Sequence, residues 1–208
     1  MPMTARRIVL GGTIAAVFLG TVAMAVEEPA FKPVLKDGAF EVRDYPALVV
    51  AEVTVSGDQK QAAGNGFRLL AGYIFGGNRT KQSIAMTAPV AQAPASQKIA
   101  MTAPVTQIQG SKTWVVRFTM PSAYSLESLP TPNDPRVQLR QLPPTRFAVL
   151  QFSGLARPEA VAARTVELES LVTARKLTAV GPAALAQYNP PWTPGFLRRN
   201  EVMIPIAR

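Results

Sequence analysis

Phe40-Glu41-Val42-Arg43-Asp44-Tyr45, then Pro46-Ala47, then Leu48-Val49-Val50-Ala51-Glu52-Val53-Thr54-Val55, is the stretch on which the fold turns. The first segment alternates apolar and polar side chains and stops before a proline, the period-two pattern of a strand. The second is longer and rich in β-branched residues, which favour a pleated, half-buried surface. Ser56-Gly57-Asp58 then supplies turn chemistry and a possible helix cap. Residues 57–75 read as a helix whose Phe67, Leu70, Ala71 and Ile74 share one face. Gly64 and Gly66 weaken its first half, and Gly76-Gly77-Asn78 stop it with residues that tolerate positive φ.

The same order recurs further along. Residues 137–142 and 146–152 read as strands around Pro143-Pro144, and Ser153-Gly154 turns the chain into a helix over 158–176. Val161, Leu168, Leu171 and Val172 form the buried stripe of that helix. Residues 114–120, 183–188 and 201–206 complete the set of strands, the last two separated by a Pro-rich loop at 189–199. Strand–strand–helix–strand–strand, twice, predicts an α+β protein. Two pseudo-symmetric ββαββ halves would join in one antiparallel, strongly curved sheet or distorted β-barrel, flanked by two helices. A groove between the halves is the natural ligand site.

One heptapeptide occurs twice. Ile84-Ala85-Met86-Thr87-Ala88-Pro89-Val90 returns as Ile99-Ala100-Met101-Thr102-Ala103-Pro104-Val105. Two copies are too few for a solenoid. The expectation is a duplicated strand ending in proline, with the Ala/Pro/Ser/Gln loop between the copies closing a hairpin. The hydroxyls of Thr87 and Thr102 would serve the backbone beside a proline that cannot donate.

Composition closes many functional classes. The chain has no cysteine and no histidine, which removes disulfides, thiolate chemistry, histidine metal sites and Ser–His–Asp catalysis. With 48% hydrophobic and 17% charged residues there is material for a core, and 19 prolines favour short elements. The formal charge is +9, but lysines and arginines are scattered. No nucleic-acid footprint is formed, and a solvated basic surface is the better reading. No carboxylate pair at a recognisable acid/base spacing, Ser-x-x-Lys arrangement or phosphate-binding loop is present, so no enzyme is expected.

Arg6-Arg7, the apolar run over residues 8–20 and Ala23-Met24-Ala25 have the three parts of a secretory signal peptide. The expected organisation is a cleaved leader over 1–25, an N-terminal extension over 26–38 and one domain over 39–208. The mature chain would be an exported monomer, periplasmic or secreted, with no membrane span.

Several motifs resemble the SOUL haem-binding family. They are the heptapeptide, residues 40–45, Gly72-Tyr73-Ile74-Phe75-Gly76-Gly77-Asn78, residues 114–121 and Pro132-Asn133-Asp134-Pro135-Arg136-Val137. The most specific is Tyr188-Asn189-Pro190-Pro191-Trp192-Thr193-Pro194 followed by Arg198-Arg199-Asn200-Glu201-Val202. The motifs stand in the family's order over residues 36–206. The resemblance implies binding of haem or another tetrapyrrole, without chemistry on it, through the first helix and the loop before the last strand. Carried onto this chain it points to Phe67, Leu70, Ala71 and Ile74, and to Trp192, Phe196 and Arg198.

Without histidine, haem iron would have only weak axial candidates such as Met86 and Met101, and methionines on strands are ordinarily core filler. Apolar sandwiching with arginine pairing to the propionates is the expected mode. On periodicity alone the helix face is simply core, and Trp192 and Phe196 are as well suited to plugging a loop as to walling a ligand. The architecture is also similar to gyrase-inhibitor-like and effector-sensing domains, so another amphipathic small molecule is the alternative ligand. A hydrolase using Glu41, Asp44 or Glu52 ranks last.

Overall fold

The computed structural model describes residues 26–94, 113–190 and 192–208. The leader expectation at 1–25 and the second heptapeptide copy, with Met101 and Thr102, lie outside the described residues. The elements in chain order are β1 (Lys32–Asp37), β2 (Phe40–Tyr45), β3 (Leu48–Ser56), α1 (Gln59–Ile74), β4 (Val90–Pro94) and β5 (Thr113–Thr119). They continue as β6 (Gln138–Leu142), β7 (Thr145–Ser153), α2 (Pro158–Ala174), β8 (Ala184–Gln187) and β9 (Arg199–Ile206), with a 3₁₀ turn at Gly195–Leu197. The nine strands form one sheet in the order β1-β2-β7-β9-β8-β4-β5-β3-β6, every pairing antiparallel.

The expected α+β architecture of two ββαββ halves is present, with a topological exchange. The first strand of each half pairs in the other half: β2 runs beside β7, and β6 beside β3. The halves also meet at β4·β8, in the register Val90↔Gln187, Ala91↔Ala186 and Gln92↔Leu185. Strand periodicity sorts side chains onto two faces. One row across the sheet reads Val53–Val116–Gln92–Leu185–Val202–Leu150–Phe40. Both helices cover this outer face. Leu70, Tyr73 and Ile74 of α1 pack on Val53, Val116 and Phe118, while Val161, Leu168 and Val172 of α2 pack on Phe40, Val202 and Ile204. The opposite, inner face is free of helix.

Local chemistry sets the helix ends. The Asp58 carboxylate accepts the Gln61 backbone N–H at 2.8 Å, satisfying one of the amides a helix start leaves unpaired. At the far end Gly76 takes φ +105° and the Gly77 N–H donates to the Gly72 carbonyl at 2.8 Å. Asn78 is fully buried and holds the exit, donating to the carbonyls of Tyr73 and Gln82 and accepting from the Gln82 N–H. Tyr73 reaches the Pro130 carbonyl at 2.9 Å. The Gly-Tyr-Ile-Phe-Gly-Gly-Asn signature is therefore largely a structural clasp.

One sequence expectation changes, and two details are added. The first heptapeptide copy is not a strand: Ile84 is buried and donates its N–H to the Ile74 carbonyl, and β4 begins only at Val90, after the cis Ala88–Pro89 bond. The described hairpin partner of β4 is β5, in the register Val90↔Phe118 to Pro94↔Trp114. The Thr87 hydroxyl does serve the backbone, donating to the Thr119 carbonyl. Part of the extension at 26–38 is a strand, since β1 adds an edge beside β2.

Gly66 was expected only to weaken α1, yet a Cβ there would sit 2.5 Å from Val116 Cγ2, whereas one at Gly64 would meet nothing within 4 Å. The small residue at 66 is what lets α1 lie close on β5. Gly66→Ala is expected to cost roughly 1–3 kcal/mol through overpacking, while Gly64→Ala should stabilise by about 0.5–1 kcal/mol from helix propensity. Chemical denaturation of both variants checks this, and equal effects would contradict the packing.

Candidate functional site

Among the concave regions of the described residues, two lie on opposite faces of the sheet. The outer one occupies the seam between the halves, where the N-termini of α1 and α2 approach each other over β4·β8. It is a cavity of about 500 Å³ lined by, among others, Lys60, Ala63, Gln92, Leu155, Arg157 and Arg198. Three cations border it against one acid, Glu159. Gln92 is the one polar member of the outer row named above and is 5% exposed. Its amide donates to the Gln59 carbonyl at 3.0 Å, but its Oε1 has no partner among the described residues. A buried acceptor left unpaired is costly and marks a place where a donor from water or ligand is wanted. The loop that leads into Arg198 carries exposed apolar side chains: Trp192 is 82% exposed and Phe196 78%. Leu155 and Leu197 are exposed as well.

The predicted ligand-contacting residues divide across this geometry. Arg198 lines the outer cavity together with Lys60 and Ala63, and its Nε donates to the Thr193 carbonyl at 2.8 Å. Phe67 is partly exposed and packs edge-on against Phe118, with ring centroids 5.4 Å apart. Ala71, one helical turn beyond Phe67, is half-buried. Leu70 and Ile74 are sealed in the α1 core and present no surface to a ligand, as periodicity alone implies. Trp192 and Phe196 stand in the open rather than plugging the loop. Met86 is half-buried against the α1 core. Sequence reasoning missed Gln92, Lys60 and Arg157; the signal lay in a glutamine inside a strand otherwise flanked by apolar neighbours.

The inner face carries most of the buried charge. Arg43 spans β2 and β9 with a bidentate pair to Glu201, Nη1 at 2.8 Å from Oε2 and Nη2 at 3.1 Å from Oε1, while its Nε donates to Glu41 at 2.6 Å. Tyr188 donates to Glu201 at 2.6 Å, and Arg199 lies 3.6 Å over the Tyr188 ring and pairs with Glu28. Burial works against the Arg43 charge, but the bonds to Glu201, Tyr45 and Glu41 outweigh it and hold its pKa above the ordinary value. Burial likewise raises Glu41, yet Arg43 and Lys36 leave it below the usual carboxylate range. In the other half Glu52 is held by Arg117 at 2.6 Å and Arg140 at 2.7 Å. On the outer face Asp44 is held by Arg146. The carboxylates considered for hydrolysis are thus arginine-bound.

Between these networks lies a groove of about 350 Å³ whose walls are Leu48, Val50, Val115, Leu142, Phe147 and Met203 and whose floor includes Ala91, Ala93 and Ala184. Among the described residues no cluster of His, Cys, Asp or Glu could hold a metal, and no helix is long and apolar enough to cross a membrane.

A half-barrel of two ββαββ halves, with concave apolar surfaces rimmed by arginine, defines a class of small α+β domain. The sequence pattern described as SOUL heme-binding protein matches residues 26–205, and the chain belongs to that family. Against curated proteins the chain has no significant sequence match. Among solved structures it is similar to the C-terminal domain of EcmrR, at 9% identity and TM-score 0.59, covering 81% of this chain and 97% of that one. A conserved protein of Listeria innocua matches at 13% identity and TM-score 0.53, over 81% and 92% of the two chains. A protein of the same organism described as a hydrolase matches at 11% identity and TM-score 0.54, over 84% and 94%. At these identities the likeness is one of fold.

The buried phenols give a pH test. Burial pushes Tyr73 up to about 12; it also raises Tyr45, and it raises Tyr188 together with the neighbouring Glu201 charge. An acid whose folded pKa is raised contributes stability that is intact below its unfolded pKa, about 10, and is lost as pH climbs toward the folded value. The denaturation midpoint is expected to fall above about pH 10, and Tyr188→Phe should flatten that fall. An identical slope in the variant would contradict the assignment.

Proposed function

We propose that this chain binds a tetrapyrrole, haem included, across the outer seam cavity, without histidine ligation and without chemistry on the ligand. The observation that carries this is a cavity bordered by a surplus of cations, with Arg198 supplied by a loop that also carries exposed aromatic side chains, in a member of a haem-binding family. Trp192 and Phe196 offer flat apolar faces to a macrocycle, whose burial drives association. Lys60, Arg157 and Arg198 suit two propionates, arginine by its forked donors. Gln92 Oε1 would accept a hydrogen bond from the ligand or from a water beneath it.

The residues fit the macrocycle and its carboxylates better than they fit the iron. The sequence holds no histidine or cysteine, and Met86 belongs to the wall of the α1 core. Bound haem would bring a Soret chromophore and a redox-active iron; the protein would hold the porphyrin by area and charge. The same logic admits metal-free porphyrins. The arginine-bound carboxylates support a carrier or scavenger rather than a hydrolase, the leader-like sequence at 1–25 favours work outside the cytoplasm, and a monomer is the expected working form.

Haemin titration of the full chain, read by absorbance and tryptophan fluorescence, tests the proposal. Saturable one-to-one binding is expected, weakened about tenfold or more by Trp192→Ala, since one stacked aromatic contributes on the order of 1–3 kcal/mol. Arg157→Gln with Arg198→Gln should weaken haemin more than a porphyrin dimethyl ester, and Met86→Leu should change neither. Absence of saturable binding, or its loss in Met86→Leu, overturns the proposal.

A further inference from the structure

The inner groove is not needed for the outer-face reading, and its chemistry is different. One transverse row on this face runs Glu52–Arg117–Ala91–Ala186–Glu201–Gln151. At the Glu201 end, charge is matched: Glu41, Glu201 and Glu28 stand against Lys36, Arg43 and Arg199. At the Glu52 end it is not, because one carboxylate holds two guanidinium groups, Arg117 and Arg140. Among the described residues Arg117 is the only charged one lining the groove, and its ion pair to Glu52 is made through Nε. Its two terminal nitrogens make no hydrogen bond with any described residue. A guanidinium so placed presents its remaining donors to an anion.

The rest of the lining is nearly all apolar, drawn from eight of the nine strands and from Pro29, Pro89, Pro143 and Pro182. The volume, about 350 Å³, lies near the lower end of the roughly 300–1,000 Å³ seen for small-molecule sites. It suits one aliphatic chain better than a macrocycle. The space exists because the seam strands carry alanine where their neighbours carry Val115 and Met203.

We infer that the inner groove is a second site, taking a free aliphatic monocarboxylate whose chain lies in the groove and whose carboxylate pairs with Arg117 beside Glu52. The excess positive charge selects the sign of the head group: a carboxylate completes a two-cation, two-anion cluster with Arg117, Arg140 and Glu52. An ammonium head would meet two arginines.

The test is calorimetric titration of the full chain with dodecanoate, dodecylammonium and dodecanol, each below its micellar concentration. Dodecanoate is expected to bind saturably, at least tenfold more tightly than dodecylammonium. Arg117→Gln should remove most of that preference, and Ala91→Phe should abolish dodecanoate binding by filling the groove. Because these variants share the leader segment with the parent, binding elsewhere cancels. Thermal melts confirm that each is folded, and haemin affinity should stay within twofold of the parent in both. Equal or tighter binding of dodecylammonium overturns the inference, as does dodecanoate binding that survives Ala91→Phe or is absent from the parent. Loss of haemin binding in Trp192→Ala with dodecanoate binding intact separates the two sites.

Discussion

The exchange of first strands between the halves is the constraint on which everything else rests. Because β2 runs beside β7 and β6 beside β3, neither ββαββ unit has a complete sheet of its own. The Arg43–Glu201 pair fastens one side of this exchange, joining the strand that crosses over to the last strand of the chain. Both side chains are almost wholly buried. A lone charge in that position would cost several kcal/mol, and removing one partner of such a pair typically costs about 3–5 kcal/mol. The pair is therefore better understood as fixing which strands meet than as adding net stability. Glu41, Tyr45 and Tyr188 bond to the pair, so the two buried charges have further partners beyond each other.

Curvature then divides labour between the two faces. The outer face is spent on two apolar cores, one beneath each helix. Where the helices part over the seam, a cavity opens, and the residue beneath it is a glutamine rather than a valine or leucine. The inner face has no helix to cover it and is closed by its own bending, so charged strand residues become buried without leaving the sheet.

Much of this was legible from residue order. The alternation in 40–45, 48–55 and 146–152, and the stripe Val161, Leu168, Leu171 and Val172, depend only on local periodicity, and all fall within the observed elements. The exchange was not legible, because pairing between strands a hundred residues apart leaves no local trace. For the same reason the burial of Glu41 and Arg43, the polar members of that alternation, leaves no trace in the sequence; only curvature turns their face inward. β1 escaped notice because all its side chains are exposed, so no buried face imposes a pattern on the sequence. The repeated heptapeptide misled in the opposite way: its β-branched and apolar letters suggest a strand, yet Ile84 anchors a loop. At the site, Phe67, Trp192, Phe196 and Arg198 have the exposure a ligand requires, whereas Leu70 and Ile74 share the helix face but point into the core.

Gln92 and Ala91 are consecutive residues of β4 whose side chains leave the backbone on opposite sides, one beneath the outer cavity and the other in the floor of the inner groove. A slip of one residue would trade them, lodging an amide in the groove and a methyl under the cavity, and would do the same for every neighbour on that strand. Both concavities are therefore written in one short reading frame. Over evolutionary time the loops on either side of β4 can lengthen or shorten, but a single insertion within it would rewrite two surfaces at once. Diversification of ligand preference in such a fold should proceed by substitution along this strand, with its spacing held fixed.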